Sequence, residues 1–333
     1  MESKTGMGVD METGMEEATE ILDRDLSDLA PKDWATAIAE MAEEHGMFQP
    51  LGPRHFATFI DQSNTLFVSF ESVGGIRALS PKALPFGFIA VQELGWSHLC
   101  VMCDGDTWFR DEEVFGFFDQ LIDDGFFDEF DNVIFYGAGP CAYAAAAFSV
   151  AAPDATVLAI QPQATLDPTV AGWDDRFTEM RRVSFTDRYG YAPEMLEAAA
   201  KVFVIYDPFV RLDAMHASLF RAPNTELLPL PHWGQGVQAR LMEMSVLDQI
   251  VEHVGTDNLT RSVFYQLVRA RRDHRGYLRG LLYAVDQSDH PQMAYWLCRN
   301  VCNRFNAPHF RKRLDKIEAE LGLSDTSASG TDG

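Results

Sequence analysis

The sequence predicts an α/β protein built as a three-layer sandwich, with a mostly parallel sheet covered by helices on both faces. Three observations predict it. Short apolar runs rich in β-branched and aromatic residues recur between Thr65 and Leu230. A stretch of helical patterning separates most of them, which is the signature of βα units. At 333 residues the chain is long enough to bury such a sheet and still carry an appended unit.

Taken in order, residues 1–30 are acidic and poor in aromatics, the composition of a loose, disordered segment. DWATAIAEMAEEHG predicts a helix over Trp34–Glu44, with Gly46 just past its end. Strands are expected at TLFVSF (Thr65–Phe70), HLCVM (His98–Met102), NVIFY (Asn132–Tyr136), TVLAI (Thr156–Ile160), KVFVIY (Lys201–Tyr206) and TELLPL (Thr225–Leu230). Helices are expected at Phe86–Leu94, Glu112–Asp123, Cys141–Ala151, Pro193–Ala200 and Leu212–Phe220. In the second of these, helical spacing lays Phe115, Phe118 and Leu121 on the sheet. A further helix, Val237–Val254, closes a unit spanning 31–255. From 256 to 322 the pattern is helical only, with an Arg-rich face in LVRARRDHRGYLRGLL, and it reads as a helical extension. Residues 323–333 form a low-complexity tail, expected to be disordered.

The formal net charge is −23, a surface that repels phosphate backbones and anionic membranes and serves solubility. Nucleic acid and membrane are therefore not expected partners. No stretch approaches the roughly 20 apolar residues of a membrane span. The N-terminus lacks the basic and apolar regions of a secretory signal, so a cytoplasmic location is expected. Five cysteines is an odd count with no sign of a disulfide framework. Cys100 and Cys103 fall on one strand at an odd spacing, which points them to opposite faces. Cys298 and Cys302 share a helix face, yet no further pair completes a tetrahedral set, so no metal site is expected.

The segment Asn132–Ala147, NVIFYGAGPCAYAAAA, carries the most chemistry: a strand, a glycine-rich turn and an Ala-rich helix. It resembles the nucleophile elbow of a subgroup of bacterial α/β hydrolases, in which a strand runs into YGSSMGGYAA. Tyr136-Gly137 and Tyr143-Ala144-Ala145 keep that frame, and Ile160-Gln161-Pro162-Gln163 stands where the subgroup has SPQ. Ile205-Tyr206-Asp207-Pro208 looks like the strand end that carries the triad acid, and His232-Trp233-Gly234-Gln235-Gly236 like the loop that carries the histidine. The resemblance covers roughly 64–250 and implies an α/β-hydrolase-like fold.

In that frame the chemistry is missing. Gly139 takes the nucleophile position and offers no hydroxyl. Pro140 follows it, where the fold draws an oxyanion donor from a backbone N–H that proline lacks. Gln235 takes the histidine position and is no base near neutral pH. Only Asp207 remains, and it also reads as a turn former before Pro208. The resemblance thus implies a pseudoenzyme with vestigial positions Gly139, Pro140, Asp207 and Gln235, keeping a cleft for an unknown small molecule or protein. Cys141 is a candidate displaced nucleophile with His232 as base, against a plain packing role for both. Tyr143 stands where the elbow wants a small residue and counts against the displacement.

A second reading uses the same turn. Gly137, Gly139 and Ala142 satisfy G-x-G-x-x-G/A, and the segment resembles the GAGPAG turn of flavin and nicotinamide enzymes. That reading implies a dinucleotide-dependent oxidoreductase binding FAD or NAD(P), whereas the hydrolase reading needs no cofactor. Against it, Gln161 stands where an acid should hold the ribose, and the turn follows two earlier βα units. The Ser-Gly-Gly and Glu-Cys-Gly segments of sulfonucleotide reductases are absent from the sequence. Glu71 and Asp104-Gly105-Asp106 fall at carboxyl ends of strands, where ligands bind in open sheets. Asp104 and Asp106 also read as a solvated turn, while Trp108 and Arg110 are candidates for the cleft wall. The candidate pocket is thus Glu71, Asp104, Trp108, Cys141 and His232.

Overall fold

The computed structural model describes residues 24–288 and 290–320. The chain divides into two compact units, Met1–Val268 and Arg269–Gly333. The first is built on an eight-stranded sheet of order β1-β2-β4-β3-β5-β6-β7-β8. Its strands are β1 Gly46–Leu51, β2 His55–Ile60, β3 Thr65–Ser72, β4 Ser97–Cys103, β5 Asn132–Ala138, β6 Thr156–Ile160, β7 Lys201–Tyr206 and β8 Thr225–Pro229. Only the β2 pairings are antiparallel; every pair from β4 to β8 is parallel. This is the α/β-hydrolase-like sandwich that the sequence predicts.

Strands covered on both sides should read as unbroken apolar runs. All seven residues of β4 are buried, and β5 and β6 are closed almost throughout. Alternation then assigns the faces. Leu99, Val101 and Cys103 join the core beneath the Glu112–Asp123 and Pro140–Phe148 helices. Cys100 and Met102 join the core beneath Pro31–His45, with Trp34, Ile38 and Met41. Phe115, Phe118 and Leu121 are buried as their spacing predicts, and the Phe118 and Phe148 rings lie 4.5 Å apart. Each such fully buried ring contributes about 2 kcal/mol by leaving water.

Several features differ from the sequence reading, among them the expected Pro193–Ala200 helix, which is a single turn over Ala192–Met195. The β1–β2 hairpin is not visible as an apolar run, because β1, GMFQPL, is an edge strand that carries Pro50 and is joined to β2 through Gly52 at φ +74°. The expected helix Val237–Val254 is two helices, Val237–Glu243 and Leu247–Gly255, parted at Ser245 with φ +50°. The break lets Leu247, Ile250, Val251 and Val254 bury together. The Arg261–Leu267 helix stays with the first unit rather than the extension: Phe264 is fully buried, and the Tyr265 hydroxyl donates to Pro229 O at 3.0 Å. Of the expected loose segment 1–30, residues 1–23 lie outside the described residues. Leu26 is fully buried, its N–H on Lys82 O at 2.9 Å.

The second unit packs three helices, Arg275–Gln287, Pro291–Arg304 and Pro308–Glu320, around Leu278, Leu282, Cys298, Val301, Leu314 and Ile317. Arg313 pairs with Asp286 at 2.8 Å. The expected tail 323–333 lies outside the described residues. No helix among the described residues is long and apolar enough to cross a membrane.

Candidate functional site

β5 ends in a sharp turn into the Pro140–Phe148 helix, and Gly139 carries that turn at φ +59°, ψ −126°. Side chains rarely adopt this region, so a non-glycine residue here is strained. Such strain is what holds a nucleophile out above the sheet in the elbow that the sequence resembles. A Cβ on Gly139 would meet nothing within 4 Å, so the turn has open space beside this residue. Gly137 is glycine for another reason: a Cβ there would lie 2.2 Å from Cys141 O. Two of the local amides are bonded, one to the neighbouring strand β6 and one within the turn. Gly139 N–H donates to Ile160 O at 2.8 Å and Ala142 N–H to Gly139 O at 2.9 Å, while Pro140 has none to give.

Beside the turn, at the carboxyl ends of β3 and β5, lies a cavity of about 270 Å³. Phe70, Ile76, Leu84, Phe86 and Met242 give it apolar walls; Glu71, Cys141, Gln92 and Gln238 supply polar atoms. Contact with the Cys103 thiol and burial push the Cys141 thiol well above its ordinary range, so it sits as a neutral S–H. Burial likewise raises the Glu71 carboxyl, against hydrogen bonds from Phe86 N–H at 2.9 Å and the Ser69 hydroxyl at 2.9 Å. Gln238 donates to the buried Tyr136 hydroxyl at 2.9 Å.

Glu71 also belongs to a buried donor set with His98 and Cys100, whose ligand-type atoms lie within 4.8 Å of one another. Those atoms close on the Ser69 hydroxyl, which is 2.9 Å from Glu71 Oε1 and 2.9 Å from His98 Nε2. A metal needs that space at about 2.0–2.3 Å from each ligand. Gly87 backs onto the imidazole so tightly that a Cβ would lie 1.9 Å from Nε2. Burial holds His98 down at about 3, hence neutral. The set reads as a hydrogen-bonded knot under the cavity floor.

The other candidate residues do not join the cavity. Asp207 is buried at the end of β7 and serves the backbone: Oδ1 accepts Phe209 N–H at 2.8 Å and His232 N–H at 3.2 Å, and Oδ2 accepts Gly234 N–H at 2.6 Å. His232, at φ +65°, stacks on exposed Phe209 with centroids 4.1 Å apart and does not line the cavity that Cys141 lines. Gln235 is exposed. Asp104 lies in an exposed turn with Gly105 at φ +81°. Trp108 is fully buried in the core, and Arg110 is clamped by Ser184 O, Arg188 O and Asp187. Of the five candidate pocket residues, the cavity brings together Glu71 and Cys141 only.

Sequence reasoning missed a buried polar network at the β6 and β7 ends. His216 Nδ1 accepts Ala164 N–H at 3.2 Å, so Nε2 carries the proton and donates to Asp174 at 3.0 Å. Arg176 bridges Asp174 at 2.7 Å and Asp213 at 2.6 Å. Gln161 extends the chain, donating to Asp213 at 2.7 Å and accepting Val237 N–H at 3.0 Å. Burial works to raise Asp174, and the hydrogen bonds from His216 and Arg176 outweigh it, leaving the carboxyl far below its ordinary range. The only sequence signal was Gln161 itself.

No protein-family model matches the chain, and no curated protein matches it. Solved structures similar to it include a hormone-sensitive lipase from a metagenome library, at 14% identity and TM-score 0.41 over 77% of this chain and 100% of that one. An esterase of Pyrococcus furiosus is 15% identical, TM-score 0.40, over 69% and 97%. A hyperthermophilic esterase of the archaeon Pyrobaculum calidifontis is 13% identical, TM-score 0.38, over 76% and 99%. At these levels the chemistry of this chain has to be argued from its own residues.

Proposed function

We propose that this chain is a non-hydrolytic α/β-hydrolase homologue that uses the cavity beside Gly139 to bind a small, largely apolar molecule. The observation that carries the reading is Gly139 itself, in a backbone conformation that would strain any other residue and bare of any side chain. Acyl transfer needs a nucleophile, a base and an oxyanion donor. Here the neutral Cys141 thiol has no histidine beside it in the cavity, Asp207 is spent on three backbone amides, and Pro140 removes the donor. An apolar wall with a few convergent polar groups is the general character of a small-molecule site.

The dinucleotide reading finds less support. A pyrophosphate at a helix start needs free N–H groups, and here that of Gly139 is bonded to Ile160 O on β6 and that of Ala142 to Gly139 O.

The test is a fluorescence titration with N-phenyl-1-naphthylamine, an uncharged apolar probe. Saturable binding is expected, weakened at least about tenfold when Ile76→Trp or Met242→Trp fills the cavity. Binding that never saturates, or that ignores both substitutions in folded protein, defeats the reading. A thermal shift of several degrees with NAD or FAD would replace it with the oxidoreductase reading.

A further inference from the structure

Charge is divided sharply along the chain. The 269–320 segment holds eleven Arg and Lys against six acids, although the chain as a whole carries −23. Such asymmetry between parts of one chain marks complementary partners. On the Arg275–Gln287 helix, Arg275, Arg279 and Tyr283 follow one another at four-residue spacing and so share a face. All three are exposed, Tyr283 at 69%, and neither arginine has an ion-pair partner among the described residues. On the next helix Met293 and Trp296 are 57% and 55% exposed, with the Arg299 guanidinium 5.6 Å from the Trp296 ring centre. Large exposed aromatics with arginines between them are the residues that dominate protein interfaces.

The first unit carries the complement. Residues 111–131 contain nine carboxylates and no Lys or Arg. Glu112, Glu113, Asp123, Asp124, Asp128 and Glu129 are exposed and have no ion-pair partner among the described residues, and Ile122 stands 45% exposed among them. We infer that the Arg275–Arg279–Tyr283 face of one copy docks on the acidic 111–131 stretch of a second copy. Exposed ion pairs contribute little each, so Tyr283 supplies the affinity, while the charges set orientation and speed encounter. A contact between unlike surfaces closes reciprocally into a dimer, or else runs on into a larger assembly. This inference uses none of the cavity residues and stands or falls apart from the ligand reading.

Sedimentation velocity of the full chain over a range of concentrations tests it. Self-association is expected at low salt, weakened at least about tenfold near 1 M, where the Debye length shrinks to about 3 Å. Arg275→Glu/Arg279→Glu and Asp123→Lys/Asp124→Lys should each lose the association with an unchanged far-ultraviolet circular dichroism spectrum. The protein carrying all four substitutions should regain it, which misfolding does not produce. A chain that stays monomeric at low salt overturns the inference, as does association untouched by either pair of substitutions or a failure of the four to restore it. A monomer that binds single-stranded DNA or anionic vesicles through these arginines overturns it too.

Discussion

The Asp207 carboxylate holds the Gly234 amide at 2.6 Å, and its other oxygen holds the amides of His232 and Phe209. Asp207 is thus a loop anchor, tying the β7 end to the loop after β8. Removing a buried carboxylate that satisfies three N–H groups leaves those donors unpaired. Asp207→Ala should therefore cost about 3 kcal/mol and Asp207→Asn about 1 kcal/mol. Urea unfolding measures both, and wild-type stability in the alanine variant would deny the anchoring role.

The two glycines of the turn after β5 should respond differently to alanine. At Gly139 a methyl meets open space and the cost is backbone strain alone, about 1–2 kcal/mol. At Gly137 it meets Cys141 O at 2.2 Å, so the strand and helix must part. Gly137→Ala should cost more than about 3 kcal/mol or prevent folding. Thermal melts of the two variants give the order, and the reverse order contradicts the geometry.

Asp174 ties the Gln161 network to acid stability. Its carboxyl is depressed in the fold, so its contribution is fully present above the unfolded value near pH 4 and is lost as pH falls below that toward the folded value. Asp174→Asn leaves Arg176 and His216 with one partner fewer and should cost about 3 kcal/mol at neutral pH. Its stability should also fall less steeply than wild type below about pH 4. Equal slopes in a pH series of urea melts would refute this.

The thiols give a further order. Burial and the Glu71 carboxylate hold Cys100 up, Cys103 contact and burial hold Cys141 up, and burial pushes Cys298 up to about 12. Cys302 is only half-buried. At pH 8, 5,5′-dithiobis(2-nitrobenzoic acid) should titrate Cys302 first, and Cys302→Ser should remove that phase. Prompt labelling of Cys141 in folded protein would reopen its part as a nucleophile.

Much of the fold was legible because central parallel strands such as TVLAI and KVFVIY must be apolar on both faces, and they appear with the predicted ends. The β1–β2 hairpin was not legible, since an edge strand such as GMFQPL, with Gln49 and Pro50 in it, carries no such run. At the site, the glycine turn showed itself through residue types that only a strained turn requires. Cys141 and Glu71 could be named, yet the cavity joining them depends on Ile76, Leu84 and Met242, which no local pattern links. The Asp174–His216 pair is separated by 42 positions and arises only when the β6 and β7 ends pack together.

The central claim is the loss of hydrolysis, and one measurement meets it directly: p-nitrophenyl butyrate turnover by purified protein, alongside labelling by a fluorophosphonate probe. The account predicts turnover no faster than buffer and no labelled residue. Turnover above background that disappears in Cys141→Ala, or a fluorophosphonate adduct on the folded chain, would contradict it.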